Sequence, residues 1–543
     1  MNNEKTKKPF GIMDKLAYAA GDFGCNMSFS LKNTVQTFWL VFMAMETGLL
    51  SILLLVVQVW DAINDPLVGA MIDSDKRNYK LGKFRTYILI GAIGLLVAGS
   101  LMFIPLKNAK VWLKCILYIV GYVIWDACYT IANVPYGSML SLITEDASER
   151  AQLSTWRSIG SMIGNILTMA LLPFLIWETA IFDGTEAFWE TFQKRFAMPE
   201  GLTIDSFKTN PLTKEPYAAG DKILNPLTGA EVEFLLGEKL FWIALVMGVI
   251  GLIAFLFMIK NVTIRVDENT VKASEPSEKV NILKSFKAFF QNRPAVGATL
   301  AAMGMFLGMQ SAATASTIMF TTHFGMAKLS GLVTLIGFLP MVFFIPFIKK
   351  LVDKYGKKEA SVGGTLLSLG GAVLMFIFPL IQNKIVSLIV FIFALCVFGL
   401  GMGIYTCVSW AFMADAIDYN EWKTGKREEG LVYSLHSFFR KLAQGIGPSI
   451  VLFLMGLLGY EASKGTIGQS AETALNMCWL VAGLYAFSAV LMFVGIAVIY
   501  NLDKKTLAQM NDELAARKAV EDTTEEVVEE DAPAAEEDAP VVE

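Results

Sequence analysis

Charge is scarce in this chain. Asp, Glu, Lys and Arg make up only 17% of its 543 residues, while 54% are hydrophobic and the mean hydropathy is +0.51. That balance excludes an ordinary soluble enzyme, in which roughly a quarter of the residues are charged. Cysteine is sparse as well: Cys25, Cys115, Cys128, Cys396, Cys407 and Cys478 stand singly, without the spacing of a zinc site or a disulfide framework. A cleavable signal is also missing. The polar start from Met1 to Lys8 leads into an apolar stretch that is too long and has no small-residue cleavage site, so the first helix is expected to anchor the chain.

What the chain does have is apolar length. Predominantly apolar stretches cover residues 16–45, 49–72, 86–106, 111–142, 152–177, 239–260, 294–323, 330–352, 359–380, 385–413, 430–459 and 477–500. Each has about 20 residues or more, enough to cross a hydrocarbon core of about 30 Å as a helix. Backbone polar groups in lipid must be satisfied within helices, so the fold expected is all-α, with twelve transmembrane helices in two six-helix bundles. With the N-terminus inside, 30 of the 45 Lys and Arg residues fall on the cytoplasmic side, which places both termini there.

This divides the chain into an N-terminal bundle at 1–259, a cytoplasmic linker at 260–293, a C-terminal bundle at 294–500 and a tail at 501–543. The tail is expected to be disordered, because residues 519–543 carry eleven Asp and Glu and no Lys or Arg. Within the first bundle, residues 178–238 form a long extracytoplasmic loop whose Phe182, Phe188, Trp189 and Phe192 suit the core of a small cap. The halves also repeat one feature. After the second span come Gly69 to Asp73 and then Lys83 to Arg85; after the eighth comes Asp353-Lys354-Tyr355-Gly356-Lys357-Lys358. An acid closing one helix and bases opening the next make a charged hinge, and the two turns resemble the signature of the major facilitator superfamily.

Polar residues inside the spans carry the functional information. In Trp60-Asp61-Ala62-Ile63-Asn64-Asp65-Pro66, two carboxylates and an amide interrupt an otherwise apolar helix. Each ionised side chain at that depth costs about 2.5–3.5 kcal/mol on the mildest insertion scale, so a counter-charge is required. Asp61, Asn64 and Asp65 lie at i, i+3 and i+4 and share one face. Their oxygens suit Na⁺, a proton, or pairing with basic residues of the protein itself. Helix four adds Asp126, Thr130, Asn133 and Gly137, and helix one adds Asp22, Asn26, Phe29 and Asn33 at similar spacing. The second half supplies Trp410, then His436, Arg440, Lys441 and Gln444. Lys441 is expected to pair with Asp61 and Asp65 when no ion is bound, with Arg440, about 100° around the helix, serving the cytoplasmic gate.

Gly21-Asp22-Phe23-Gly24, the Trp60 to Pro66 heptad, Gly82-Lys83-Phe84-Arg85, Val134-Pro135-Tyr136-Gly137 and Asp418-Tyr419-Asn420-Glu421 occur in order on the expected helices. In these motifs the chain resembles the glycoside-pentoside-hexuronide:cation symporters, melibiose-carrier-like members of the major facilitator superfamily, over residues 12 to about 500. The resemblance implies a Na⁺, Li⁺ or H⁺ site at Asp61, Asn64, Asp65 and Thr130. It also implies sugar-site roles for Arg157 and Lys441, and a cytoplasmic gate involving Asp415, Asp418 and Arg427 beside the hinge residues Asp73, Arg85 and Asp353. Cys25, Asn26, Asn133 and Gly137 depart from the residues of the galactoside-specific melibiose carrier, which takes that specificity away. Lys32, extra within helix one, points to an anionic sugar such as a hexuronide.

The function expected is therefore non-enzymatic. It is alternating-access import of a sugar or glycoside with Na⁺ or H⁺, by a monomer in a bacterial inner membrane. The substrate site would comprise Asp22, Asn26, Asn133, Gly137, Arg157, Trp410 and Lys441. The partners expected are sugar, cation and lipid, with no cofactor and no nucleic acid. A sodium-coupled lysophospholipid carrier and a non-transporting sugar sensor are the alternatives.

Overall fold

The computed structural model describes every residue except 1–8, 76, 78, 145, 196–201, 267–281, 426–428 and 531–543. The N-terminal half contains α1 (Ile12–Phe29), α2 (Leu31–Thr37), α3 (Thr47–Ser74), α4 (Lys83–Leu101), α5 (Val111–Ile143) and α6 (Ala147–Ile176). It continues with β1 (Trp177–Thr179), α7 (Glu186–Arg195), β2 (Glu233–Leu235) and α8 (Gly237–Asn261). The C-terminal half comprises α9 (Ile282–Gln291), α10 (Arg293–Met319), α11 (Ser330–Tyr355), α12 (Lys357–Met375), α13 (Lys384–Thr424), α14 (Glu429–Leu457), α15 (Ala471–Phe493) and α16 (Lys504–Glu530).

Among the described residues, eleven helices are long and apolar enough to span a membrane: α3–α6, α8 and α10–α15. The stretch expected as a twelfth, 16–45, is divided into α1, α2 and a π-helical turn at Phe38–Phe42. The division falls at Ser30, whose backbone N–H and hydroxyl both bond the Asn26 carbonyl, while the hydroxyl also meets Thr168 Oγ1 at 3.0 Å. A side-chain hydroxyl that bonds back onto the preceding turn bends a helix.

Within each half the helices approach through small residues. Gly24 and Gly251 bring α1 against α8, and Gly364 and Gly401 bring α12 against α13, in each case with a backbone carbonyl where a side chain would otherwise stand. Lipid offers no hydrophobic drive between helices, so this close backbone packing is what holds the bundles together. Large apolar side chains such as Ile52, Trp112, Ile253 and Phe393 are left on the outside.

The loop at 178–238 is a folded cap. Its strands pair antiparallel, Trp177 with Leu235 and Thr179 with Glu233. Ala180, Trp189, Phe192, Phe207, Tyr217, Ile223 and Val232 form a core of their own, joined by Ile467 from the C-terminal half. Asn225 Nδ2 donates to Ile467 O at 2.8 Å and Lys384 Nζ to Thr228 O at 2.8 Å, so the cap is tied across the halves. Glu233 accepts from the backbone N–H of Ala327, beside Lys328, and burial pushes its carboxyl up to about 7 against these two opposing influences.

The halves meet at the cap end. Ser51 Oγ donates to Ser449 O at 2.7 Å, and Thr314 Oγ1 donates to Gln36 Oε1 at 2.7 Å. Gly331 lies so close to the carbonyl of Met169 that a Cβ would stand 1.9 Å from it. At the other end two ion pairs lie within a half: Arg265 with Asp14 at 2.7 Å, and Lys357 with Asp415 at 2.6 Å.

Residues 504–530 are helical, which corrects the expectation of disorder from 501 onward. Leu507, Met510 and Leu514 repeat at helical spacing and pack into the main core. Trp422 Nε1 donates to Glu513 Oε2 at 2.7 Å, and Arg517 Nη1 donates to Trp422 O at 3.0 Å. The end of the acidic run, 531–543, lies outside the described residues, as does most of the linker expected at 260–293.

Candidate functional site

The heptad sits on α3 opposite α5, where Asp126 and Thr130 are one turn apart. Asn64, 3% exposed, donates through Nδ2 to Asp126 Oδ2 and to Thr130 Oγ1, both at 3.0 Å, and Thr130 Oγ1 donates to Asp65 Oδ1 at 2.9 Å. Asn64, Asp65 and Thr130 are thus brought together. Asp61 is instead held from α2, where Lys32 Nζ lies 3.6 Å from its Oδ2 and 5.7 Å above the rings of Phe29 and Tyr122. Lys441 Nζ reaches from α14 to Asp65 Oδ2 at 2.5 Å, an ion pair between the two halves. Lys32 is thus paired with Asp61 in this structure. Asp126, seen in the sequence only as part of a polar stripe, proves to be a buried third carboxylate of this cluster.

The sugar-site residues expected in the first half also converge. Arg157 Nε donates to Asp22 Oδ1 at 3.2 Å, with its guanidinium 5.0 Å above the Tyr136 ring. Asn26 Nδ2 bonds Asp22 O at 2.9 Å and Ser161 Oγ at 3.0 Å, and Asn165 Nδ2 donates to Asn26 Oδ1 at 3.0 Å. Asn133 accepts a long 3.8 Å contact from the Cys25 thiol, while a Cβ added at Gly137 would come into van der Waals contact with Arg157, at 3.9 Å. Ser161 and Asn165 were missed. Their signal was available, since Arg157, Ser161, Asn165 and Thr168 repeat at steps of four, four and three along one helix face.

In the second half Trp410 is 51% exposed and stacks on Tyr433 at 5.9 Å. His436 Nδ1 is 2.9 Å from Thr299 Oγ1. The Arg440 guanidinium lies 5.2 Å from the Phe306 ring and 5.5 Å from Trp410. Arg440, expected to serve the cytoplasmic gate, is in this aromatic group, because α10 and α13 flank its side of α14.

The gate residues whose contacts are described are engaged as follows. Asp415 pairs with Lys357 and accepts from Tyr500 OH at 3.2 Å; Arg85 donates to Val262 O; Asp353 offers its backbone carbonyl to Lys504 Nζ at 2.8 Å. Asp418, with its own interactions, remains on α13. Arg427 and the side chain of Asp73 lie outside the described residues. Asp75 is the acid that organises the first hinge. It accepts from Tyr79 OH at 2.6 Å and Tyr87 OH at 2.7 Å, and these bonds hold its carboxyl well below the usual range.

Comparison with known proteins agrees with this architecture. The family described as MFS/sugar transport protein matches residues 17–504. The chain is 27% identical over 520 residues to the uncharacterized symporter YjmB of Bacillus subtilis (strain 168), covering 94% of this chain and 96% of the other. It is 27% identical over 512 residues to a glucuronide carrier protein homolog of Escherichia coli (strain K12), covering 93% and 96%. It is 26% identical over 518 residues to the isoprimeverose transporter of Lactiplantibacillus pentosus, covering 94% and 93%. Among solved structures, the inward-open xylose transporter XylE from E. coli aligns with a TM-score of 0.51 at 13% identity, over 92% of this chain and 98% of that one. The nucleoside transporter NupG aligns with a TM-score of 0.52 at 13% identity, over 90% and 99%. These two show the shared major facilitator fold. The chain belongs to the MFS/sugar transport protein family and is a multi-pass membrane transporter, not an enzyme.

Proposed function

We propose that this protein is a secondary active symporter that imports a sugar or glycoside together with Na⁺ or H⁺. The cation site is Asp61, Asn64, Asp65 and Thr130. The observation that carries this reading is the 2.5 Å pair of Lys441 with Asp65. It joins the halves at the group a coupling cation would neutralise, so cation and ammonium compete for one carboxylate. Cation entry frees Lys441, and the bundles then rock about the substrate, which couples the two ligands through a shared site.

Asp22, Asn26, Asn133, Gly137 and Arg157 form the hydroxyl-binding face, with Trp410 offering an aromatic ring from the other bundle. Asp73, Arg85, Asp353, Asp415, Asp418 and Arg427 close the cytoplasmic end in the opposite state, both termini lying on that side of a bacterial inner membrane. The protein works as a monomer without a cofactor. Relatives named for glucuronide and isoprimeverose support a sugar cargo. An apolar groove of about 560 Å³ lies between α6 and α8. Its lining comes from one half only, so it does not open the interface as a lysophospholipid carrier would require.

The test is uptake of labelled glycosides, pentosides and uronides into proteoliposomes under separate Na⁺ and pH gradients. Asp65→Asn is expected to abolish gradient-driven accumulation, by tenfold or more. Unaltered accumulation would remove Asp65 from the cation site.

A further inference from the structure

Four basic side chains stand deep in the spans beside the polar clusters. Three of them have carboxylate partners: Lys32 with Asp61, Arg157 with Asp22 and Lys441 with Asp65. The fourth, Arg440, has no ion pair and no hydrogen bond among the described residues, and its Nε is buried without a partner. It is not near a helix end. Eleven residues separate it from Glu429, about 16 Å at the rise of an α-helix, which is beyond what an arginine side chain spans to reach the water at that end. Its surroundings are the rings of Phe306 and Trp410. Aromatic faces steady a guanidinium but do not satisfy its N–H donors, which form a flat fork matched to two oxygens of one anionic group.

Arg440 is half-buried beside the exposed Trp410 and Lys441, so its fork faces a space that an anion can enter and fill for part of the cycle. The protein's own nearby carboxylates in the clusters are committed. Asp61, Asp65 and Asp22 have their cations, and Asp126 is held by Asn64. The remaining source is the cargo. Trp410, half exposed next to the fork, presents a ring for the apolar face of a sugar, while Asn26, Ser161 and Asn165 of the other bundle offer hydroxyl partners.

We infer that the transported sugar carries one oxyacid group, a carboxylate or a sulfonate, and that Arg440 receives it bidentately. This rests on the sugar-symport reading and narrows its substrate class. Arg440 is then a substrate-binding residue that also decides specificity, because a neutral sugar would leave the fork desolvated and unfilled.

The experiment uses the full chain in proteoliposomes with three matched probes: methyl β-glucuronide, methyl β-glucoside and the methyl glycoside of 6-deoxy-6-sulfoglucose. The expected result is a KM for one or both acidic probes at least tenfold below that of the glucoside. Arg440→Gln should raise the acidic-probe KM by thirtyfold or more and move the glucoside KM by less than threefold. Arg440→Lys, which keeps the charge and loses the fork, should fall between, and it covers the case in which Arg440→Gln does not fold. The ratio of the two acidic probes distinguishes carboxylate from sulfonate. Equal KM for glucoside and acidic probes, or an equal loss for all three in Arg440→Gln, overturns the inference and leaves symport standing. If no sugar accumulates under any gradient, the symport reading fails. Equilibrium binding followed by tryptophan fluorescence then decides the inference by the same acidic-to-neutral ratio.

Discussion

The two ends of the molecule are held by different means. At the cap end the links cross from one half to the other through Ser51 and Ser449, Gln36 and Thr314, the bare contact of Gly331 with Met169, and the cap itself. At the linker end two charged links among the described residues, Asp14 with Arg265 and Asp415 with Lys357, stay inside their own halves. Small residues and single hydrogen bonds make an interface that is tight yet individually weak. It can be exchanged for another without leaving a buried charge behind. Ion pairs kept within a bundle make that bundle rigid, which a rocking mechanism requires.

Four substitutions probe that contrast. Lys357→Ala should have the largest effect, because Asp415, 8% exposed, would lose its cation; a loss of about 3 kcal/mol is expected, read as a lower thermal unfolding temperature of the purified protein. Hydrogen exchange at the cap end should stay unchanged, and a loosened cap end would break the comparison. Gly331→Val comes next. Its Cβ cannot fit beside Met169 O, so turnover should fall about tenfold while thermal stability changes little, and hydrogen exchange around Met169 should speed up.

Thr314→Ala removes one crossing bond worth about 1 kcal/mol, a roughly fivefold shift between the two states. Spin-label distances across the cap end would read it, and a shift above about thirtyfold would mean that the bond is not one weak link among several. Glu233→Gln should be smallest and visible only as a pH profile. A carboxyl raised from its ordinary value to about 7 binds its proton more tightly in the docked cap than in the undocked one. The stabilisation is therefore complete below about pH 4.5 and is lost as pH rises through 7. Cap protection factors, taken relative to the intrinsic exchange rate at each pH, should rise from pH 8 to pH 5 in the native chain and stay flat in Glu233→Gln.

Much of this was legible in the residue pattern, for a definite reason. A helix has a fixed period, so Asp61, Asn64 and Asp65 on one turn, and Asp126 with Thr130 on another, announce shared faces without any tertiary information. Lipid forbids irregular backbone, so apolar length alone locates most spans. The break at Ser30 was hidden because it depends on a hydroxyl meeting the Asn26 carbonyl and Thr168 of a helix far along the chain. The helix at 504–530 was hidden by acidic composition, although Leu507, Met510 and Leu514 mark the apolar face that docks it.

The chain by itself determined the helical membrane fold, its repeated hinge and the presence of intramembrane charge, since these follow from hydropathy, helical period and the cost of ions in lipid. Partnership is another matter. Only the tertiary structure decided that Lys32 answers Asp61, that Lys441 answers Asp65 across the halves, and that Arg440 is left between two rings without an anion. A charge can be read from one residue, but its neutralisation depends on distances of a few ångströms between helices that the sequence separates by hundreds of positions.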